Sequence, residues 1–282
     1  MKKLIYLLAF LPLISCDRGE KPAPLGPNPD LIVKQQAPFG SRGTSTKLQK
    51  VLHNGQLVSE FAYEGDYLSQ IKKYAAFKEP ALWAVRSYHR EAGLTKSSNL
   101  ISAFVSGEGG FVSKDFNPAQ NVTFIVPEND SIRTLTMDNI LANETYFNEY
   151  TLDKDGFVVK ETTAPKWRKE ADYTYFYTRN AKHNITEIRT ISYQEPNMAY
   201  VIKYDYDTHP NPFFDLGVDW QDQLSINSYS PNNIVRETRI DSNGEEYHTN
   251  YTYEYNGSGY PKKVTITMDI PLFTPYILEF LY

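Results

Sequence analysis

The sequence predicts an all-β protein, a curved antiparallel meander of repeated β-hairpins that closes partly or fully into a barrel. Three observations predict it. Aromatic and aliphatic residues alternate with polar ones at a period of two, the signature of a strand with one buried face. Asn-Gly and Asp-Gly steps, which accept positive φ, punctuate those stretches. The same aromatic hairpin text also recurs along the chain, and one hairpin cannot bury its aromatic face without neighbours. Composition agrees: aromatics make up 14% of the 282 residues, with 22 Tyr and 15 Phe. Tyr suits strands, and it suits wet binding faces because one end is apolar and the other hydrogen-bonds.

The clearest unit is EEYHTNYTYEYNGSGYPKKVTITMD. Tyr247, Thr249, Tyr251, Tyr253 and Tyr255 share one face, and His248, Asn250, Thr252 and Glu254 the other. After a turn at Asn256–Gly259, Val264, Ile266 and Met268 share a face of the returning strand. EFAYEGDYLSQIKKY repeats the pattern with Phe61 and Tyr63, a Gly65-Asp66 turn, then Leu68 and Ile71. DYTYFYTRNAKHNITEIRTISY carries Tyr173, Tyr175 and Tyr177, a polar turn through Asn180 and Asn184, then Ile185 and Ile188. YVIKYDYDTHPNPFFDLG places Tyr200, Ile202, Tyr204 and Tyr206 on one face. Further hairpins turn at Lys154-Asp155-Gly156 and at Ser242-Asn243-Gly244. The repeat thus occupies 45–74 and 144–269. The stretch 76–142 departs from it: a short helix is expected from Glu79 to Glu91, followed by strands joined by Gly-rich turns, as a small irregular or helical insertion or cap.

The amino terminus predicts an address. Lys2 and Lys3 precede an apolar run from Leu4 to Leu13. Ten residues are too few to span a bilayer, which takes about 20, but suit the core of an export signal. The run ends in Leu13-Ile14-Ser15-Cys16, and Cys16 is the one cysteine of the chain. These four residues resemble the lipobox of bacterial lipoproteins. That resemblance implies a diacylglycerol on the Cys16 thiol, cleavage after Ser15 with Leu13, Ile14 and Ser15 as the recognition residues, and acylation of the new amino terminus. Two or three buried chains give a stable anchor, each methylene contributing about 0.8 kcal/mol. The expected organisation is a signal peptide over 1–15, an anchor and tether over 16–43, and one β-hairpin domain over 44–282. Five Pro and four Gly between Asp17 and Gly43 suit a tether, although Leu31-Ile32-Val33 also offers an edge strand.

The repeat unit resembles the Tyr-Asp repeats of bacterial surface and toxin-shell proteins. With the lipobox, YDYDTHPNPFFDLG and NNIVRETRIDSNGEEYHTNYTYEY, the chain is similar to an uncharacterised family of Bacteroidetes lipoproteins with a porin-like fold. The likeness covers roughly 144–269, with a weaker echo at 45–74. It implies a β architecture and an outer-membrane or periplasmic address, and it carries over no catalytic residue. It also implies shape alone, since the hairpin faces alternate Tyr with charged residues and show no lipid-facing band.

The formal charge is −5 with no long basic block, which argues against nucleic acid as a partner. The five His have no ligand spacing, and no metal or cofactor is expected. Asp153-Lys154-Asp155-Gly156 begins like a calcium loop but lacks its further ligands; a hairpin turn explains it equally. Asp205 and Asp207 are expected on one strand face, as two catalytic carboxylates would be, although a glycosidase needs carboxyls converging from opposite sides of a substrate. Trp83, Trp167 and Trp220 are candidate stacking residues for sugar rings, with core or edge packing as the plainer reading. Trp220 stands among Asp219, Gln221 and Asp222, a ring beside polar hydrogen-bonders.

Three functions follow in order. The first is a non-enzymatic binding module held to the bilayer through acylated Cys16, with glycan as the leading ligand class. The second is a structural or assembly lipoprotein that binds another envelope protein. The third is a glycan-cleaving enzyme using carboxylates such as Asp205 and Asp207.

Overall fold

The computed structural model describes residues 47–75, 80–91, 94–106, 111–125, 132–140, 143–155, 157–167, 170–214, 230–270 and 273–282. Among them sixteen strands follow one another: β1 (Lys50–His53), β2 (Gln56–Glu64), β3 (Tyr67–Ala75), β4 (Ala81–Glu91), β5 (Leu94–Ser106), β6 (Phe111–Ile125), β7 (Ile132–Asn139), β8 (Glu144–Leu152), β9 (Val158–Pro165), β10 (Tyr173–Arg179), β11 (Ile185–Ser192), β12 (Tyr200–Pro210), β13 (Asn232–Asp241), β14 (Glu246–Tyr255), β15 (Pro261–Met268) and β16 (Tyr276–Leu281). Each pairs antiparallel with its sequence neighbours, and β1 pairs with β16, so the meander is a closed barrel. The seam is fastened at Asn54: its N–H donates to the Ile277 carbonyl, and its side-chain oxygen accepts the Ile277 N–H, both at 2.8 Å. Asn54 and Gly55 hold φ of 49° and 80°, the backbone that a two-residue hairpin turn requires.

Sidedness follows from the alternation. Phe61, Leu68, Ile71, Tyr150, Ile185, Ile188, Ile202, Tyr204, Val264 and Ile266 are buried inside the ring. Facing outward at mid-strand are the exposed Glu149, Arg189, Lys203, Asp205, Arg236 and Glu254, with Asp205 directly across from Arg236. Lys263 donates to Glu254 at 2.9 Å on the same outer wall. A lipid-embedded barrel carries its apolar band outside and its polar residues inside; at these described positions the wall has the reverse arrangement. The core lies in two clusters. One gathers Leu48, Val51, Phe61, Leu68, Ile71, Phe213, Val264, Ile266 and Phe280 around the seam. The other gathers Val122, Tyr150, Leu152, Val158, Tyr177, Ile185, Ile188, Ile202, Tyr204 and Ile234 on β6 to β13.

Of the stretch expected to be a helix, 79–91, residues Ala81–Glu91 are instead strand β4, and 81–139 supply four strands of the wall rather than an insertion. The physical reason lies in its inner face. Ala84 and Arg86 are the buried positions, and an arginine there breaks the apolar alternation that marks the other strands. Arg86 is stabilised inside by hydrogen bonds to the Ser98 hydroxyl (3.1 Å) and the Gln120 side-chain oxygen (2.6 Å). Residues Leu31–Val33, the signal segment and Cys16 lie outside the described residues, as does Trp220. No helix among the described residues is long and apolar enough to cross a membrane.

One device recurs at the hairpins. In β2–β3, β8–β9, β10–β11, β12–β13 and β14–β15 the register slips by one residue just before the turn. An extra residue in the second strand (Ser69, Val159, Thr186, Val235 and Lys262) forms a β-bulge. The bulge turns the residues on both of its sides inward, which explains the apolar-x-x-apolar step of the sequence repeat: Leu68 with Ile71, Ile185 with Ile188, Pro261 with Val264, all buried. The second member of each step faces an aromatic ring across the hairpin, giving Phe61–Ile71, Tyr177–Ile188 and Tyr253–Val264.

Candidate functional site

In the remaining two hairpins the aliphatic position of that step holds a carboxylate. Val158-x-x-Glu161 puts Glu161 opposite Tyr150, and Ile234-x-x-Glu237 puts Glu237 opposite Tyr204. The fold therefore carries two acidic groups into a layer that its sister hairpins fill with Ile and Val.

The two are treated differently by their surroundings. Glu161 is clasped by tyrosines: the Tyr177 hydroxyl donates to it at 2.7 Å, Tyr150 bonds to it as well, and Asn148 donates to the Tyr150 hydroxyl at 3.0 Å. Burial still outweighs those bonds and pushes the Glu161 pKa up to about 7. Glu237 has no hydrogen-bond partner among the described residues. Burial raises its pKa too, and the nearby Arg239 guanidinium opposes the rise. Tyr204, Tyr206, Tyr251 and Tyr276 all feel the Glu237 charge. The Tyr204 side chain is 4% exposed, and its buried hydroxyl has no partner. The buried Thr190 hydroxyl, in the row between Tyr175 and Tyr200, has none either.

The carboxylates of this layer border internal space. Glu161 and Glu237 are enclosed enough for burial to govern their protonation, yet both keep accessible surface, as do the inward Tyr175, Tyr200, Tyr206, Tyr251 and Tyr276. A ring of sixteen strands is wider than its side chains can fill. The space opens toward one end. Along the inner face of β13, Arg239 and Asp241 are 36% and 31% exposed as the strand approaches the 242–245 turn. Arg239 bonds Asp241 at 2.7 Å and lies 4.4 Å from the centroid of the Tyr200 ring.

The opposite end is plugged. Residues 211–214, after β12, fold back into the ring, where Phe213 packs edge-on against Phe280 with centroids 5.8 Å apart. Asn211 fixes this plug: its amide donates to the Ser230 carbonyl (2.9 Å) and its side-chain oxygen accepts the Phe213 N–H (3.0 Å). Asp207 anchors the entry. Its carboxylate accepts from the N–H groups of His209 (2.9 Å) and Asn233 (3.2 Å), from the Asn233 amide and from the Tyr255 hydroxyl. The His209 ring stacks on Tyr255 at 3.8 Å. Below the plug is a cavity of about 30 Å³ lined by Phe213, Tyr251, Tyr253 and Phe280 among others. Lys50 pairs with Leu281 at this end, so the chain enters the barrel beside its plug.

The residues singled out in the sequence are not brought together. Asp205 is exposed on the outer wall, whereas Asp207 is committed to the plug, so they form no facing carboxylate pair. Asp153 is a turn residue whose oxygen accepts the N–H groups of Asp155 and Phe157, each at 2.9 Å. No group of three potential metal ligands occurs among the described residues. Trp83 is half-buried at the register shift between β3 and β4, next to the buried Ala84. Trp167 is 49% exposed in the β9–β10 loop at the open end. That loop is tied to its neighbours. Tyr193, itself exposed, donates its N–H to the Asp172 carbonyl at 3.0 Å, and Ser242 donates to the Asn197 carbonyl at 2.7 Å. The open rim therefore presents Trp167, Tyr193 and Met198 together with the stacked Tyr173–Tyr175 pair. Glu161 and Glu237 escaped the sequence reading, yet their signal was present: a Glu in the slot where the repeat elsewhere has Ile or Val.

Two solved structures align with the chain over most of its length. One is a porin-like protein from Bacteroides uniformis ATCC 8492, at 11% identity and a TM-score of 0.48, over 75% of this chain and 95% of that one. The other is a porin-like protein from Bacteroides vulgatus ATCC 8482, at 12% identity and a TM-score of 0.39, over 84% and 99% of the two chains. At such identity the likeness says nothing of function. No protein-family model and no curated protein sequence matches the chain.

Proposed function

We propose that this chain is an envelope lipoprotein, anchored at the outer membrane through acylated Cys16 and a tether over 16–43, whose barrel is a non-enzymatic binding module with glycan as the leading ligand class. The observation that carries the reading is the polarity of the barrel. The chain enters at the plugged end, and the aromatic rim lies at the other. A tether on the plugged end holds the rim away from the bilayer, toward ligand. Exposed Trp and Tyr rings beside polar groups are the surfaces on which sugar faces stack. The charged outer wall supports an anchor that is separate from the barrel.

A glycan-array screen with residues 44–282 tests this. The reading expects saturable binding to one glycan class, lost in Trp167→Ala. Binding that survives both Trp167→Ala and Trp220→Ala would remove the tryptophans from the site, and no binding by a folded sample would remove the ligand class. A second reading, an assembly lipoprotein, is favoured by the apolar Ile140, Met198 and Ile270 exposed in loops at the same end. Cross-linking in intact cells, with a partner captured at that rim, distinguishes it.

A further inference from the structure

We propose that Tyr204 and Glu237 form an internal binding site for a small compound bearing a primary ammonium group. The site is independent of the glycan reading and stands without it.

The inference starts from an internal control. Tyr150–Glu161 and Tyr204–Glu237 occupy the same position in two copies of one bulged hairpin. In the first copy the tyrosine hydroxyl bonds to the carboxylate and a second tyrosine completes the clasp. In the second copy neither the carboxylate nor the hydroxyl has a hydrogen-bond partner among the described residues, although the two residues are directly opposed. Enclosed polar groups are ordinarily satisfied, so an unsatisfied pair in the inner layer marks a place for an added molecule.

The chemistry selects its class. A carboxylate taken out of water is stabilised by an opposite charge and by donors. Arg239 does not supply the contact, because its guanidinium is held by Asp241 and the Tyr200 ring. The Glu237 charge reaches Tyr206, Tyr251 and Tyr276, and electron-rich rings favour a cation over a neutral guest. A primary ammonium has three N–H donors: two can reach the Glu237 oxygens while one reaches the Tyr204 hydroxyl oxygen. A quaternary ammonium would leave both without a donor.

The test is calorimetric titration of the full-length protein in detergent with n-butylammonium, using tetramethylammonium and glucose as comparison probes. The site predicts one-to-one saturation by n-butylammonium, at least tenfold weaker in Glu237→Gln and in Tyr204→Phe and unchanged in Glu161→Gln, each variant checked for its fold by near-ultraviolet dichroism. Saturation that is equal in Glu237→Gln overturns the proposal. So does tetramethylammonium binding as tightly as n-butylammonium, glucose binding in its place, or no saturation by any probe, which would assign the space to water. Loss of rim binding in Trp167→Ala bears only on the glycan reading, so the two can fail separately.

Discussion

Tyr204 and Glu237 stand directly opposite each other on β12 and β13 without a hydrogen bond, whereas their counterparts Tyr150 and Glu161 are bonded. The difference has opposite consequences for one substitution. Removing the unpartnered Tyr204 hydroxyl takes away a buried group that gains nothing, so Tyr204→Phe is expected to stabilise the unliganded protein by about 1 kcal/mol. Tyr150→Phe removes a bond to a carboxylate and is expected to cost about 1.5–3 kcal/mol. Urea unfolding of both variants measures the contrast; equal effects would deny it.

Glu161 gives the protein a pH dependence whose sign is fixed. Its pKa is about 7 in the folded chain against an ordinary value of 4.5. Between those values the folded state holds a proton that the unfolded state has released, so stability falls as pH rises from 4.5 to 7 and levels off above. The upper limit of the loss is about 3 kcal/mol. Glu237 is shifted in the same direction. Glu60, held low first by the Tyr74 hydroxyl and then by Lys50, acts oppositely but only below its ordinary value. Denaturation midpoints at pH 5 and pH 8 should differ in the native protein and differ less in Glu161→Gln, where only Glu237 still acts in this direction. A midpoint that rises between those pH values would contradict the assignment.

Asp205 and Asp207 differ in role despite standing two residues apart. Asp207→Ala leaves the Asn233 N–H, the His209 N–H and the Tyr255 hydroxyl without their acceptor, while the Asn233 amide keeps the His209 carbonyl. The expected cost is about 2–4 kcal/mol. Asp205→Ala, on the exposed outer wall, is expected within about 0.5 kcal/mol of native. Thermal melts of the pair check this, and comparable losses would return both to one environment.

The strands were legible wherever the inner face is apolar or aromatic. Tyr247 to Tyr255 and Val264 to Met268 occupy the faces that their alternation predicts. The apolar-x-x-apolar step was visible as text but not as geometry, because a bulge is needed to turn Leu68 and Ile71 to the same side. β4 was misread as helix because Arg86 sits at an inward position that period-two reasoning expects to be apolar. The same cause hid the candidate site. Glu161 and Glu237 look like solvated strand residues until their cross-strand partners, Tyr150 and Tyr204, place them inside. Partnership across β12 and β13 also decided the fate of Asp207, whose acceptor role depends on Asn233 and Tyr255, residues remote in sequence.

The proposed lipoprotein is a barrel with a polar outer wall that is held to the membrane by Cys16 alone. Replacing that thiol in the full-length chain, Cys16→Ser, and fractionating cells without detergent tests it most directly. The account predicts that native protein sediments with membranes, while the variant is recovered in the aqueous fraction with the β-sheet dichroism of a folded barrel. A folded variant that stays with the membrane after alkaline extraction would contradict it, and would place the strands themselves in lipid.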